Sequence, residues 1–324
     1  MHIPDNYLSP ETCAVMTAAM VPVWAHAVRT VKKEITKEKM PMLGVGAAFS
    51  FTGMMFNVPL PGGTTGHAVG GTFISTMLGP AAACISVTFA LLVQALVFGD
   101  GGILAFGANC FNMAFVLPYV GFAMYRLLQR MGVRGWLAAA IGSYIGLNAA
   151  ALCAAIEFGL QPALFTGADG QPLYCPYGLG IAIPAMMIGH LTLFGAAEVV
   201  FTAALYKFME KTSPDLIAGD ETIQSGKRSR IPIYVLLAAI ICAVPAGLLA
   251  EGTAWGEWDV TEIGIDPRFG FPSLFPDYSM AGLPDAAGYI LSALIGVGLL
   301  VLLFRVIASR MKTPTDFSLG EGKS

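Results

Sequence analysis

Nine apolar runs, each close to the length that crosses a lipid bilayer, constrain this chain more than any other feature. They lie at about residues 11–31, 41–58, 64–79, 81–98, 103–125, 136–158, 178–206, 232–250 and 286–309. A helix needs about 20 apolar residues to span the hydrocarbon layer. The third run is short and Gly-rich, so a re-entrant segment is its alternative form. Composition agrees with a membrane setting. The chain is 56% hydrophobic and only 12% charged, against about a quarter charged in soluble domains. This excludes an ordinary cytosolic enzyme and a disordered scaffold. A net charge of −3 leaves no basic patch for a phosphate backbone, so nucleic acid is excluded as a partner. The expected fold is an all-α polytopic membrane protein of about nine transmembrane helices.

Charge sets the orientation. Basic residues cluster at Arg29–Lys39, Arg126–Arg134, Lys207–Arg230 and Arg305–Lys323, and these clusters hold all but Arg268 of the eighteen. Nine crossings with the N-terminus outside and the C-terminus inside put every cluster on the cytoplasmic side, as the positive-inside rule requires. If 64–79 failed to cross, the Arg126 cluster would face outward. The first ten residues, MHIPDNYLSP, contain no Lys or Arg and so lack the basic start of a cleavable signal. They are expected to stay on the mature chain as an extended segment folded back onto the bundle, with Pro4 and Pro10 discouraging helix. The polar stretch 211–231 reads as a cytoplasmic linker. It separates a seven-helix core, 1–210, from a two-helix module, 232–324, whose exterior loop 251–285 is acidic and rich in Trp, Phe and Pro.

Chemistry-bearing residues are few. The six cysteines show no Cys-x-x-Cys pair and read as small buried hydrophobes. His2 is the informative histidine. A bulky second residue spares the initiator Met from removal, so the chain is expected to carry a free α-amine on Met1. That amine, the His2 backbone nitrogen and the His2 imidazole can close fused five- and six-membered chelate rings around one metal. His67 lies in Pro61-Gly-Gly-Thr-Thr-Gly-His67-Ala-Val-Gly-Gly71, an exterior loop whose glycines permit close backbone approach. Its imidazole would complete a planar all-nitrogen set, which suits Ni(II) or Cu(II) better than Zn(II). Dispersed methionines argue against copper.

Asn57, Thr65, Asn109 and Asn112 stand around the expected pocket. The amides either hold the imidazoles or bond neighbouring helices. Glu157, His190 and Glu198 lie within apolar runs, where ionisable groups are functional candidates. At helical spacing His190 and Glu198 share a side without touching. They would serve transport or bond neighbouring helices.

Met1-His2, the loop Asn57 to His67, Gly107-Ala-Asn109-x-Phe-Asn112-Met and His190-Leu to Glu198 together resemble the CbiM/NikM family. Its members are the substrate-binding membrane components of energy-coupling-factor transporters for cobalt and nickel, and the resemblance covers about residues 1–210. It implies that Met1, His2 and His67 hold Co(II) or Ni(II) as cargo and that no cofactor is needed. It also implies that a CbiQ/NikQ-like coupling component and CbiO/NikO-like ATPases supply the energy from the inner (cytoplasmic) membrane. The chain itself has no nucleotide-binding motif, so it is expected to capture metal with high affinity rather than catalyse a reaction. The C-terminal module resembles the CbiN/NikN companion component, though its Pro-Asp-Gly-Leu signature survives only as Pro276-Asp277 and Leu283-Pro284-Asp285. The competing class is an ion-coupled carrier or antiporter running on Glu157, His190 and Glu198. A membrane enzyme fits less well, because catalytic metals keep an open water site.

Overall fold

The computed structural model describes residues 1–59, 65–217, 229–249 and 260–311. Parts of the 61–71 loop, the linker and the exterior loop lie outside the described residues, as do Lys227, Arg228, Lys312 and Lys323. The chain runs α1 (Pro10–Glu34), α2 (Met40–Met54), β1 (Val58–Pro59), β2 (Thr65–Gly66), α3 (Gly71–Leu78), α4 (Pro80–Val93), α5 (Phe106–Asn109) and α6 (Leu117–Arg130). After these come α7 (Gly135–Leu164), α8 (Leu179–Gly189), α9 (Gly195–Thr212), α10 (Ile231–Ala243) and α11 (Asp285–Arg310). It is a polytopic all-α membrane protein, and β1 and β2 form only a two-residue antiparallel pairing.

Among the described residues seven continuous helices are long and apolar enough to cross a membrane, and α2 is a shorter apolar helix. The segment expected over 64–79 takes a mixed form. Thr65 lies beside Met1 at one end of the bundle, while Leu78 and Gly79 line a cavity with Thr30 and Glu34 at the other. The chain between them is non-helical to Gly70 and helical from Gly71. Non-helical backbone at membrane depth is tolerated only when protein covers it, and residues 65–77 are all buried.

Three long helices contain a π-helical turn: Gln94–Phe98 after α4, Cys110–Val116 between α5 and α6, and His190–Phe194 between α8 and α9. Such turns shift the phase of a helix face and recur at functional sites. Here each carries a buried polar residue, namely Gln94, Asn112 and His190.

Small residues bring backbones together. A Cβ on Gly142 would stand 2.6 Å from the Gly121 carbonyl oxygen, and one on Gly146 2.5 Å from that of Leu117, so α6 and α7 meet through a small-x-x-x-small seam. Gly44 of α2 packs against Leu300 and Phe304 of α11. The C-terminal helix therefore packs on α2 at Gly44, while Gly46 of α2 faces Ile74 of α3.

Candidate metal centre

Residues 1–9 form a strap tied into the bundle. Pro10 supplies the first turn of α1, where its missing N–H costs nothing, and the Ser9 side chain caps that turn by accepting from the Thr12 N–H at 3.0 Å. The Ser9 N–H donates to Gln161 Oε1 on α7 at 2.9 Å, and the Tyr7 carbonyl accepts from the Cys175 N–H at 3.0 Å. The Asp5 carboxylate accepts from the N–H groups of Ile103 (3.0 Å) and Leu104 (2.8 Å). Nearest the terminus, Asn109 grips the backbone of Ile3. Its Oδ1 accepts from the Ile3 N–H at 2.8 Å and its Nδ2 donates to the Ile3 carbonyl at 3.0 Å. Met1, His2 and Ile3 are buried as a result.

This places the Met1 amine 3.2 Å from the Thr65 carbonyl oxygen, one residue from Gly66 and two from His67. Glycine at 66 is a steric requirement, since a Cβ there would lie 2.2 Å from the Phe194 ring. After His67 the chain turns through Gly70, at φ +69°, a left-handed conformation that favours glycine. The Glu198 carboxylate secures the turn, accepting from the N–H groups of Val69 (2.8 Å) and Gly70 (3.1 Å) at the start of α3. Glu198 thus holds the loop that presents His67.

The imidazoles of His2 and His67 face each other with ring centres 4.7 Å apart and planes inclined by 33°. Two imidazoles at adjacent corners of a metal's square, bonded at ~2.1 Å, would have centres about 4.5 Å apart, so the observed spacing fits. Both nitrogens of His67 and Nε2 of His2 are buried without a hydrogen-bond partner. Buried polar atoms are normally paired, and each exception calls for an explanation. The remaining His2 nitrogen, Nδ1, is 2.7 Å from Asp100 Oδ1. Fused-ring chelation through the terminal amine and the His2 amide uses this Nδ1, so metal entry by that route has to open the Asp100 pair. Burial works to raise the Asp100 carboxyl, but His2 and the Tyr278 hydroxyl outweigh it and hold the group below its ordinary value. Among the described residues no three His, Cys, Asp or Glu side chains converge to hold a metal.

The other sequence candidates sort by partner. Asn112 Nδ2 donates to Glu157 Oε2 at 2.9 Å, a bond between helices that leaves the imidazoles untouched. Asn57 stands partly buried before β1, and Thr65 contributes its carbonyl. His190 Nδ1 is 2.8 Å from the Met186 carbonyl oxygen of the preceding turn, and its ring packs on Phe194. The π-helical turn between His190 and Glu198 breaks the simple helical phase. Sequence reasoning missed Asp100. The available signal was an acid in Gly99-Asp100-Gly101-Gly102, a second Gly-rich exterior loop like that of His67.

The fold and site define a class: an all-α membrane bundle with its own N-terminus buried against the His67 loop and two imidazoles facing each other. Comparison with known proteins makes that class specific. The family model for the CbiM cobalt uptake substrate-specific transmembrane region matches residues 2–216, and that for the PDGLE domain matches residues 229–313. The chain belongs to the CbiM family. It is 50% identical over 322 residues to a probable fused nickel transport protein, LarMN, of Lactiplantibacillus plantarum, covering 94% of this chain and 97% of that one. It is 44% identical to the fused nickel transport protein NikMN of Rhodobacter capsulatus, covering 93% and 95%. A crystal structure of a truncated transition metal transporter is 58% identical with a TM-score of 0.64, covering 65% of this chain and 99% of that one.

Proposed function

We propose that this chain captures Ni(II) or Co(II) at its outer face as the substrate-specificity component of an energy-coupling-factor transporter. The metal is cargo, held by the Met1 amine, the His2 nitrogens and His67. The observation that carries this reading is the pair of buried imidazoles at 4.7 Å, with unpartnered nitrogens, beside an amine anchored 3.2 Å from Thr65. Nitrogen ligands bind Ni(II) more tightly than Co(II), and a planar set favours Ni(II) further. Asn109 positions the strap and Glu198 the His67 turn.

The chain crosses the inner membrane nine times in this reading, with the strap outside. The 1–210 core, the 211–231 linker and the 232–324 module form one fused unit. A CbiQ/NikQ-like membrane component and CbiO/NikO-like ATPases supply the energy. The partners found for Glu198, His190 and Asn112 favour positioning and packing roles over a proton relay, and so favour this reading over an ion-coupled carrier. The test is a Ni(II) and Co(II) titration of the detergent-purified full chain without a polyhistidine tag, alongside His2→Ala and His67→Ala. Loss of tight binding in both variants is expected. Wild-type binding in both would overturn the site.

A further inference from the structure

Among the described residues, the C-terminal module reaches the Asp100–His2 pair through the Tyr278 side chain. Tyr278 lies in the 3-10 turn Pro276–Tyr278 of the exterior loop, yet it is buried. Its hydroxyl donates to Asp100 Oδ2 and accepts from Gln94 Nε2 at 2.8 Å, while the same Gln94 Nε2 donates to Asp100 Oδ2 at 3.0 Å. The opposite carboxylate oxygen, Oδ1, holds His2 Nδ1. A continuous hydrogen-bonded path therefore runs from Tyr278 through Asp100 to His2.

The backbone of this turn is strained. Asp277 and Tyr278 adopt φ of 51° and 59°, left-handed values that non-glycine residues keep only where the surroundings enforce them. Those surroundings are visible. The Tyr278 ring stacks on Phe98 with centres 4.9 Å apart, and Ser292 Oγ on α11 donates to the Tyr278 carbonyl at 2.9 Å. A second tie joins the same loop to the strap: Asn6 Oδ1 accepts from the Arg268 and Phe269 N–H groups, each at 3.0 Å.

We propose that Tyr278 is a positioning residue for metal capture, setting the Asp100 carboxylate that orients His2 and balances the charge of the incoming cation. The exterior loop of the module is thereby one wall of the metal centre. This rests on the functional reading above. Metal at Nδ1 displaces the bond to Asp100 Oδ1, and the carboxylate then stays beside the cation as its counter-charge, a Coulombic contribution that outlasts the hydrogen bond. Tyr278→Phe removes one oxygen and keeps the ring, so packing alone predicts no change.

The experiment is a Ni(II) titration of the untagged full chain in detergent. It compares wild type, Tyr278→Phe, Asp100→Asn, the double variant and His2→Ala, with metal-free melting as the check on folding. Tyr278→Phe should weaken binding about tenfold and Asp100→Asn more, at unchanged melting temperature. The double variant should bind no more weakly than Asp100→Asn, because both act through one path. Wild-type affinity in Tyr278→Phe, additive losses in the double variant, or a loss that tracks a lowered melting temperature would overturn the proposal. Wild-type affinity in His2→Ala would instead overturn the metal site on which it rests.

Discussion

Asn109→Ala removes the two side-chain bonds that hold Ile3 and leaves the strap's ties at Asp5, Asn6, Tyr7 and Ser9 in place. Asn109 makes two bonds to Ile3, at 2.8 and 3.0 Å. The Ile3 carbonyl keeps a second donor, the Gly102 N–H at 2.8 Å, but the Ile3 N–H loses the acceptor that Asn109 supplies. Leaving one buried donor unpaired costs about 1–3 kcal/mol, and the loss falls on docking of the strap because Ile3 adjoins His2. Taking ~2 kcal/mol, the docked-to-undocked ratio of the Met1–Ile3 end falls about thirtyfold, and the apparent affinity for Ni(II) falls by up to that factor as the docked fraction is lost. Competition against a chromogenic chelator on the untagged protein measures this directly. The metal-free melting temperature, dominated by helix packing elsewhere, should move little. An affinity within twofold of wild type would refute the argument that strap docking is coupled to metal capture.

Other perturbations follow from the same geometry. Gly66→Ala drives a Cβ into the Phe194 ring, 2.2 Å away in the present backbone; overpacking of this kind costs about 1–3 kcal/mol. Metal binding should fall about tenfold or more, with partial recovery in Gly66→Ala/Phe194→Ala measured by titration. Glu198→Gln keeps one acceptor oxygen for the Val69 and Gly70 N–H groups, but replaces the charged acceptor by a neutral one and puts an amide donor beside the Gly70 N–H; it should lower Ni(II) affinity about tenfold. An ion-coupled carrier predicts the opposite pattern, with binding intact and transport lost. Gly142→Val wedges α6 from α7 at a 2.6 Å approach and should lower thermal stability in detergent by several degrees.

Much of this was legible from residue order. Apolar run lengths and the basic clusters marked the spanning segments, and the loops they assign to one side do meet: Asp5 bonds residues 103 and 104, Tyr7 bonds Cys175, and Asn6 bonds Phe269. The pairing of His2 with His67 was expected from position in the sequence, and the two rings are adjacent in space. The non-helical half of 65–78 was not legible, because hydropathy counts apolar side chains and is blind to whether protein or lipid covers the backbone. Asn109 and Glu198 were visible as buried polar residues, but their task was not, since both bond backbone groups that any residue carries. Asp100 and Tyr278 are separated by 178 residues in sequence, and no local pattern links them. The π-helical turn at His190–Phe194 likewise disrupts the simple 3.6-residue spacing used to relate His190 to Glu198.

The central claim is that the α-amine of Met1 is itself a metal ligand. Adding one residue ahead of Met1 keeps every side chain and turns that amine into an amide. Ni(II) and Co(II) titrations of the extended and native proteins, both without a polyhistidine tag, therefore isolate it. The account predicts that tight binding of both metals collapses in the extended chain, while its metal-free melting stays close to that of the native protein. Equal affinity in the two proteins would contradict the N-terminal site and return the buried Glu157, His190 and Glu198 to the front.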